Sequence, residues 1–337
     1  MLIDGVQVAP GVKKSWSMPA CDTCLGPESV PVTVVCGSKP GPTLAVTAAC
    51  HPMELNGVVT SIRLAQELDP SELAGTVVIV HVQNIFGFQF KHGHVSPLDG
   101  VNFGRSFPVP GETEKASGNV SHQATSATAQ IAEKIFQELV SKADYLIDLH
   151  GGELYESLYQ NIEILPLGKD DIDERTRWLA QAFGFDLIWE VPYGSIVEMP
   201  TYPGRGSAVG EAAHLGIPGV FCEVGGEGKI EEDMVNLTLQ GIKNVMVHLD
   251  MIAGTKTPFD ATVLVGGHVF FAHKAGLHIS SVKAGDHLAA GQELGHVINL
   301  AGDVVQRFVA SEPGVLLNIV TLGVVNPGDM LYVIGNL

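Results

Sequence analysis

Residues 42–54 read PTLAVTAACHPME, and this stretch decides how the rest of the chain is interpreted. Positions 43–50 are small, uncharged and mostly apolar, which is typical of a strand buried on both faces. The strand should end at His51, and Glu54 opens a segment whose apolar residues recur at helical spacing. An imidazole at a strand end and a carboxylate at the start of the next helix can converge as half of a zinc site. From these residues alone, a surface histidine and a glutamate that complements the helix dipole are the alternative.

The length and charge of the chain limit what it can be. With 337 residues it is long for a single core, so we expect two domains, residues 1–255 and 256–337. The formal net charge of −18 argues against binding to nucleic acid or to an anionic membrane surface. The apolar runs are of strand length and no signal-peptide pattern is found, so no membrane segment is expected. An odd number of cysteines, 5, favours a reducing compartment and a cytoplasmic location.

The order of the predicted elements indicates an α/β fold followed by a small all-β domain. Apolar strand-like runs alternate with helical periodicity up to residue 252, which implies a largely parallel sheet flanked by helices. Helices are expected near residues 54–68, 121–142, 174–183, 207–215 and 231–252. Residues 1–41 should form short strands and turns, and residues 254–258 a linker. From residue 261 onward, short β-branched runs alternate with glycine turns, and KAGDHL at 283–288 echoes NPGDML at 326–331 as an internal half-repeat.

Two further strands are predicted to end in residues that bind metal or move protons. YLIDLHGG at 145–152 places His150 at a strand end, and GVFCEVGG at 219–226 does the same for Glu223. Because ligands bind beyond the carboxyl ends of strands in open α/β sheets, these residues should meet His51 and Glu54. Two histidines and one glutamate around an open fourth position are a catalytic zinc ligand set, so we predict one Zn²⁺ per chain on His51, Glu54 and His150. Glu223 is then the general base for a water.

A long loop is expected between the second strand and the helix near 121–142. Residues 84–111 are rich in glycine, proline and phenylalanine, and include the cations Lys91 and Arg105. A loop of this length inside a compact domain is more often functional than a spacer. We therefore predict that it contributes to binding of the substrate.

In combination, these motifs resemble the succinylglutamate desuccinylase/aspartoacylase family of the zinc carboxypeptidase-like superfamily, over residues ~30–337. The family's His-Gly-Asp-Glu corresponds to HPME at 51–54, its Asp-Leu-His to residues 148–150, and its catalytic glutamate, between Gly-Ile-Pro and Gly-Gly, to Glu223. Its substrate loop, Asp-Gly-x-Asn-x-Asn-Arg-x-Phe-Pro, corresponds to DGVNFGRSFP at 99–108. The resemblance implies that Arg105, His94 and Asn102 bind substrate. Gly104 replaces the asparagine of the family's Asn-Arg pair, and His94 stands where related deacylases have an arginine that is thought to polarise the scissile carbonyl.

The resemblance also implies the activity: a zinc-dependent hydrolase that cleaves the amide bond of a small N-acyl amino acid or a related N-acyl amine. A homo-oligomer is among the expected states. The implied C-terminal domain is of barrel-sandwich hybrid type, and its hairpin at residues 300–305 has no lysine to carry biotin or lipoate. The alternatives are a zinc carboxypeptidase, which needs a wider cleft, and a non-catalytic zinc- or ligand-binding homologue. Glu223 argues against the latter, because binding alone needs no base.

Overall fold

The computed structural model describes residues 1–108, 125–192, 194–196 and 204–337. Its helices are α1 (Leu55–Glu67), α2 (Ile85–Phe90), α3 (Ala127–Glu138), α4 (Asp170–Phe183), α5 (Ala208–His214) and α6 (Glu232–His248), with 3₁₀ turns at Phe103–Arg105 and Val140–Lys142. Its strands are β1 (Leu2–Ile3), β2 (Val6–Gln7), β3 (Val12–Thr23), β4 (Gly26–Cys36), β5 (Lys39–Ala48), β6 (Ala74–Val80), β7 (Tyr145–His150), β8 (Glu156–Ile164), β9 (Leu187–Glu190), β10 (Gly219–Gly226), β11 (Thr262–Val265), β12 (Gly267–Phe271), β13 (Gly276–Ser280), β14 (His287–Leu288), β15 (Glu293–Ile298), β16 (Val304–Val309), β17 (Gly314–Val320), β18 (Val324–Val325) and β19 (Met330–Asn336).

The fold is built on a mixed sheet with helices on its faces, as predicted. Its central strands run in the order β4-β6-β5-β7-β10-β8-β9. The neighbours from β6 to β10 pair in parallel, whereas β4 and β8 run antiparallel to them. Successive residues of β5 face two different cores: Leu44 and Val46 pack with α1, α4 and α6, and Ala45 packs on the side of α3 and α5. Residues 43–48 of the uncharged run therefore form a strand buried on both faces, and residues 49 and 50 begin the turn that follows it.

Three predicted elements differ in detail. Residues 1–41 contain the long hairpin β3–β4 in place of short strands, because β3 lies at the sheet edge and is exposed over most of its length, which weakens its apolar alternation. The loop predicted at 84–111 begins with the short helix α2, whose first turn Asn84 caps by accepting a hydrogen bond from Gly87 N at 3.0 Å. The helix predicted at 121–142 is α3, capped by Ser126, and residues 121–124 lie outside the described part of the chain.

The C-terminal region is all β, as predicted. Strands β13, β15, β16 and β18 form a separate antiparallel sheet, while β12, β17 and β19 extend the large sheet. The predicted half-repeat is seen in two matching turns: Asp286 accepts from Lys283 N at 2.9 Å, and Asp329 accepts from Asn326 N at 2.7 Å. Strand β17 pairs with β8, and β11 pairs with β9, so hydrogen bonding continues across the predicted boundary at residue 255. The two-domain division stays a prediction.

Within the described residues, the helices are all too short or too polar to pass through a lipid bilayer.

Candidate active site

The strands whose ends were predicted to meet are neighbours in the sheet. Strands β5, β7 and β10 lie side by side in parallel, with Ala48 opposite Leu149 and His150 opposite Glu223. Parallel strands end at the same edge, so their last residues are brought together whatever lies between them in sequence. The sequence prediction that His51, His150 and Glu223 share one edge therefore agrees with the observed register.

The turn after β5 aims the first two residues of the site. Ala49 has a φ of 53°, in the left-handed region that alanine rarely adopts, and its carbonyl accepts a hydrogen bond from Asn84 N at 2.9 Å. Glu54 occupies the N-cap position of α1 but does not cap the helix with its side chain. Gly57 lets α1 approach β7 closely, because a Cβ there would lie 2.9 Å from Leu149 Cβ. The Glu54 carboxylate is thus directed at the end of β7.

Three side chains form a compact cluster of nitrogen and oxygen donors. Glu54 Oε1 lies 2.9 Å from His51 Nδ1, and Glu54 Oε2 lies 3.3 Å from His150 Nδ1. One ligand atom from each residue falls within 4.8 Å of the other two. Glu54 and His150 are buried at 4% and 6% exposure, and His51 is half-buried and open to the cavity. Glu54 and His150 are thus enclosed by protein, whereas His51 faces the cavity.

The carboxylate of Asp148 orients His150 from behind. It accepts from His150 Nε2 at 3.1 Å, so Nδ1 is the ring nitrogen that points into the cluster. Its other oxygen accepts from Thr47 Oγ1 at 2.6 Å and from Gln83 Nε2 at 2.9 Å. A carboxylate on the far nitrogen of a ligating histidine fixes the ring and raises its basicity, a recurring arrangement at metal sites.

The cluster has the chemistry of a metal-binding site. Glu54 Oε2 is buried and has no well-aligned hydrogen bond among the described residues, and such an orphaned acceptor is costly without a cation. Cys50, Asp148 and His150 are a second group close enough to hold a metal. Burial raises the pKa of the Cys50 thiol to about 11, and thiolate is the ligating form. Because the Asp148 oxygens are also already in use, the set of His51, Glu54 and His150 fits a metal better.

Charge within the cluster favours an anionic Glu54. Burial alone would raise the pKa of this carboxyl group, but His150 and His51 outweigh burial and lower it to about 2. Burial alone would lower the pKa of His150, but Glu54 and Asp148 outweigh it and raise that pKa well above its ordinary value. The cavity end of the cluster therefore stabilises positive charge, which a bound divalent cation would supply.

Glu223 faces the cluster from β10. Burial raises the pKa of its carboxyl group well above the ordinary value; His150 opposes the rise, and Glu54, Glu163 and Glu156 add to it. Two strand partners flank it, His150 on β7 and Asn161 on β8. A carboxylate poised to take up a proton beside a metal-binding cluster fits a general base.

The site opens into a cavity of about 290 Å³ that contains all three predicted substrate residues. Asn102 accepts from Gly104 N at 2.9 Å and so caps the 3₁₀ turn that presents Arg105, which is exposed. The ring of His94 lies 4.9 Å from that of His51, and His94 Nε2 lies 3.8 Å from Glu156 Oε2. The structure therefore places the loop residues in the wall of the same cavity as the cluster.

The structure adds a residue that the sequence analysis did not identify. Glu153 is 1% exposed and ties two loops of the site together, because its Oε1 accepts from Met53 N at 3.1 Å and from His94 N at 3.4 Å. Glu153 follows His150 by three residues, after two glycines at a strand end. A glutamate at such a place is costly to bury without hydrogen-bond donors, and this sequence feature could have identified it. Glu153 positions the loop of His51 relative to that of His94.

Comparison with known proteins gives the family. Residues 40–249 match the model of the succinylglutamate desuccinylase/aspartoacylase catalytic domain. The chain belongs to this family. It is 27% identical over 334 residues to the N-alpha-acetyl-L-2,4-diaminobutyric acid deacetylase of Halomonas elongata, covering 93% of this chain and 87% of that protein. The family resemblance predicted from the sequence motifs is confirmed.

Solved structures of the desuccinylase/aspartoacylase fold superpose on almost the whole chain. The product-bound ectoine utilization protein EutE (DoeB) of Ruegeria pomeroyi has a TM-score of 0.80 at 22% identity, covering 97% of this chain and 95% of that one. A succinylglutamate desuccinylase from Silicibacter sp. TM1040 has a TM-score of 0.78 at 20% identity, covering 96% and 94%. The likeness includes the C-terminal strands, and it confirms the predicted fold class.

The two departures from the desuccinylase/aspartoacylase pattern both lie against His51. At Gly104, a Cβ would lie 3.1 Å from His51 Nε2 and 3.3 Å from Cys50 Sγ, so the backbone of the 3₁₀ turn rests directly on the cluster. His94, the other departure, stacks at a tilt on the same imidazole. A small residue at 104 and an imidazole at 94 are thus adjacent changes around His51.

Proposed function

We propose that this chain is a zinc-dependent deacylase that hydrolyses the amide bond of a small N-acyl amino acid. Membership of the desuccinylase/aspartoacylase family supports deacylation, and the relative from Halomonas elongata is by name a deacetylase of an N-acetyl amino acid. The observation that carries the proposal is the cluster of His51, Glu54 and His150 beside Glu223 in one cavity. Three protein ligands with an open position are typical of catalytic rather than structural zinc.

The roles of the protein residues follow from their positions. When bound, zinc would activate a water and polarise the amide carbonyl. Glu223 takes the proton of the attacking water, for which its raised pKa suits it, and delivers that proton to the leaving amine. Asp148 keeps the Nδ1 lone pair of His150 directed at the cluster.

The loop residues bind the rest of the substrate. His94 lies beside His51 and can donate a hydrogen bond to the carbonyl oxygen as negative charge develops there. Arg105 offers a planar fork that matches a substrate carboxylate, and Asn102 holds the turn on which it is presented. Together they anchor the two ends of an acylated amino acid.

The shape of the cavity favours a small substrate over a peptide. Side chains from the C-terminal strands, Val269, Leu317 and Val333 among them, form part of its wall. A carboxypeptidase needs a wider cleft for a peptide, and a cavity of about 290 Å³ bounded by these side chains suits a small N-acyl amino acid better.

The proposal is tested by metal content and turnover of matched variants. Purified protein should contain close to one zinc per chain, and His150→Ala should lose most of it, whereas the exposed His287→Ala should not. Glu223→Gln should keep its zinc and lose at least ~10²-fold in kcat in an amine-release assay over N-acyl amino acids. Glu227→Gln, an exposed change four residues on, is the control.

Three results would each overturn a part of this proposal. Full zinc content in a His51→Ala, His150→Ala double variant would place the metal elsewhere. Wild-type turnover by Glu223→Gln would assign the base to another residue. Zinc content without any turnover would favour the non-catalytic homologue.

A further inference from the structure

One carboxylate that lines the cavity has no role in the proposed reaction. Acidic residues that line the cavity are Glu54, Asp148, Glu156, Glu163 and Glu223. Glu54 faces the two histidines, Asp148 holds His150, and Glu223 is the proposed base. Glu156 accepts from Glu153 N at 3.3 Å and approaches His94. That leaves Glu163.

Glu163 is half-buried and lines the cavity. Among the described residues, none makes a hydrogen bond or an ion pair with its carboxylate. Burial raises its pKa to about 7, although His150 and Arg105 act at longer range to lower it. A carboxylate that is withdrawn from water without a hydrogen-bond donor is costly, and a bound cation would remove that cost.

The amide oxygen of Asn161, close to Glu163, is also without a hydrogen bond in the described part of the chain. Asn161, 2% exposed, lies two residues earlier on β8 and lines the same cavity. Its Nδ2 donates to Tyr159 O at 2.9 Å, which fixes the amide orientation, and its Oδ1 is buried without a hydrogen bond among the described residues. Asn318 Oδ1, on β17 at the same wall, is likewise unpaired within the described chain. The cavity wall formed by Asn161, Glu163 and Asn318 therefore presents hydrogen-bond acceptors, which a bound donor would satisfy.

The distance between Glu163 and Glu223 indicates which part of a substrate could reach Glu163. Asn161 is opposite Glu223 and Glu163 is opposite Phe221 in the β8–β10 ladder. Two residues along a strand correspond to roughly 7 Å. A group bound at Glu163 thus lies a short aliphatic arm away from the position of Glu223.

We propose that Glu163, with the Asn161 amide oxygen, binds a side-chain ammonium group, so that the preferred substrates are N-acyl amino acids with a second, cationic amine. This inference rests on the proposed function and deepens it. An ammonium supplies three donors and one positive charge, which matches a wall of acceptors and one unpaired carboxylate. Arg105 binds the α-carboxylate of the substrate, and Glu163 binds its side-chain ammonium. Each charged group of the substrate thus meets a protein side chain of opposite charge.

The test compares a cationic substrate with an isostere that lacks only the charge. Nα-acetyl-L-2,4-diaminobutyrate and Nα-acetyl-L-norvaline differ by an ammonium in place of a methyl group. The wild-type kcat/KM should be at least ~10-fold higher for the former, and Glu163→Gln should reduce that ratio by roughly 10–100-fold, the worth of a charged hydrogen bond. The norvaline derivative should change less than about 2-fold, and the exposed Glu312→Gln should change neither.

A binding measurement separates this inference from the proposed function. 2,4-Diaminobutyrate should raise the Tm of the zinc-loaded wild type more than norvaline does, and Glu163→Gln should lose this difference. Hydrolysis of both substrates with equal efficiency, or an equal loss on both in Glu163→Gln, would overturn the ammonium subsite and leave the deacylase intact. Glu163-dependent binding of the diamine without hydrolysis of any N-acyl amino acid would support the ammonium subsite and overturn the proposed deacylase activity.

Discussion

The Asp148 carboxylate is almost fully enclosed and accepts three hydrogen bonds, from Thr47, Gln83 and His150. Thr47 lies on the neighbouring strand β5 and Gln83 in the segment that follows β6, so the orientation of His150 depends on the packing of elements around β7. The sequence motif Asp-Leu-His suggested the ligand but not this supporting network, because Gln83 is distant in sequence.

Replacing Asp148 by Asn should weaken metal binding without removing a ligand. The amide would present a donor to groups that themselves donate, so His150 would lose its orienting acceptor. We expect the zinc affinity to fall by roughly 10–100-fold, as for other partners of ligating histidines. Competition with a zinc chelator measures this directly, with the exposed Asp260→Asn as control. Unchanged affinity would mean that another group orients the ring.

Residues with a local signal were predictable, and those defined by pairing between strands were not. His51, His150 and Glu223 each follow an apolar run, so the sequence alone placed them at strand ends. Glu163 and Asn161 sit in QNIEI, which reads as an ordinary half-exposed strand. Only the position of β8 beside β10, with its residues facing the cavity, shows what they line.

At the scale of elements, the 3₁₀ turn Phe103–Arg105 is a structural part of the site. Asn102 caps it, Phe103 is buried in the core, and Gly104 presses against Cys50 and His51. The loop was predicted from its length and composition, but the turn was not, since three residues are too few for a periodic signal. Its backbone therefore limits how far His51 can move.

A methyl group at Gly104 should displace His51. The added Cβ would lie 3.1 Å from His51 Nε2, so the imidazole or the turn must shift by a few tenths of an ångström. We expect Gly104→Ala to fold normally but to bind zinc more weakly and to lose kcat, because a ligating ring tolerates little misplacement. Gly323→Ala, where the nearest atom would lie 3.8 Å away, is the control. Wild-type metal affinity in Gly104→Ala would show that the turn yields and His51 does not.

At the scale of the whole molecule, the cavity is completed by strands far apart in sequence. Leu158 on β8 pairs with Asn318 on β17, and both line the cavity. Pairing between segments so distant leaves no local trace in the sequence, so the all-β region was predicted but its contribution to the cavity wall was not. The C-terminal strands and the central sheet thus build the proposed substrate site together.

The unpaired Glu163 should leave a signature in the pH dependence of stability. Its ordinary pKa is 4.5, and burial raises it to about 7 in the folded protein. Between these values the folded chain holds a proton that the unfolded chain has released, so this group makes the protein less stable as pH rises, by at most about 1.4 kcal/mol per pH unit. Glu163→Gln cannot release a proton and lacks this loss.

The Tm of Glu163→Gln minus that of wild type should therefore be near zero at pH 5 and become positive by pH 8. Scanning calorimetry with a chelator present keeps metal binding from varying with pH, and Glu312→Gln corrects for the loss of one negative charge from a chain of net charge −18. A difference that stays constant across this range would mean that Glu163 is solvated or paired in the folded protein. A difference that becomes negative would mean that a cationic group of the protein already stabilises the Glu163 carboxylate. The substrate ammonium would then have no unpaired carboxylate to bind.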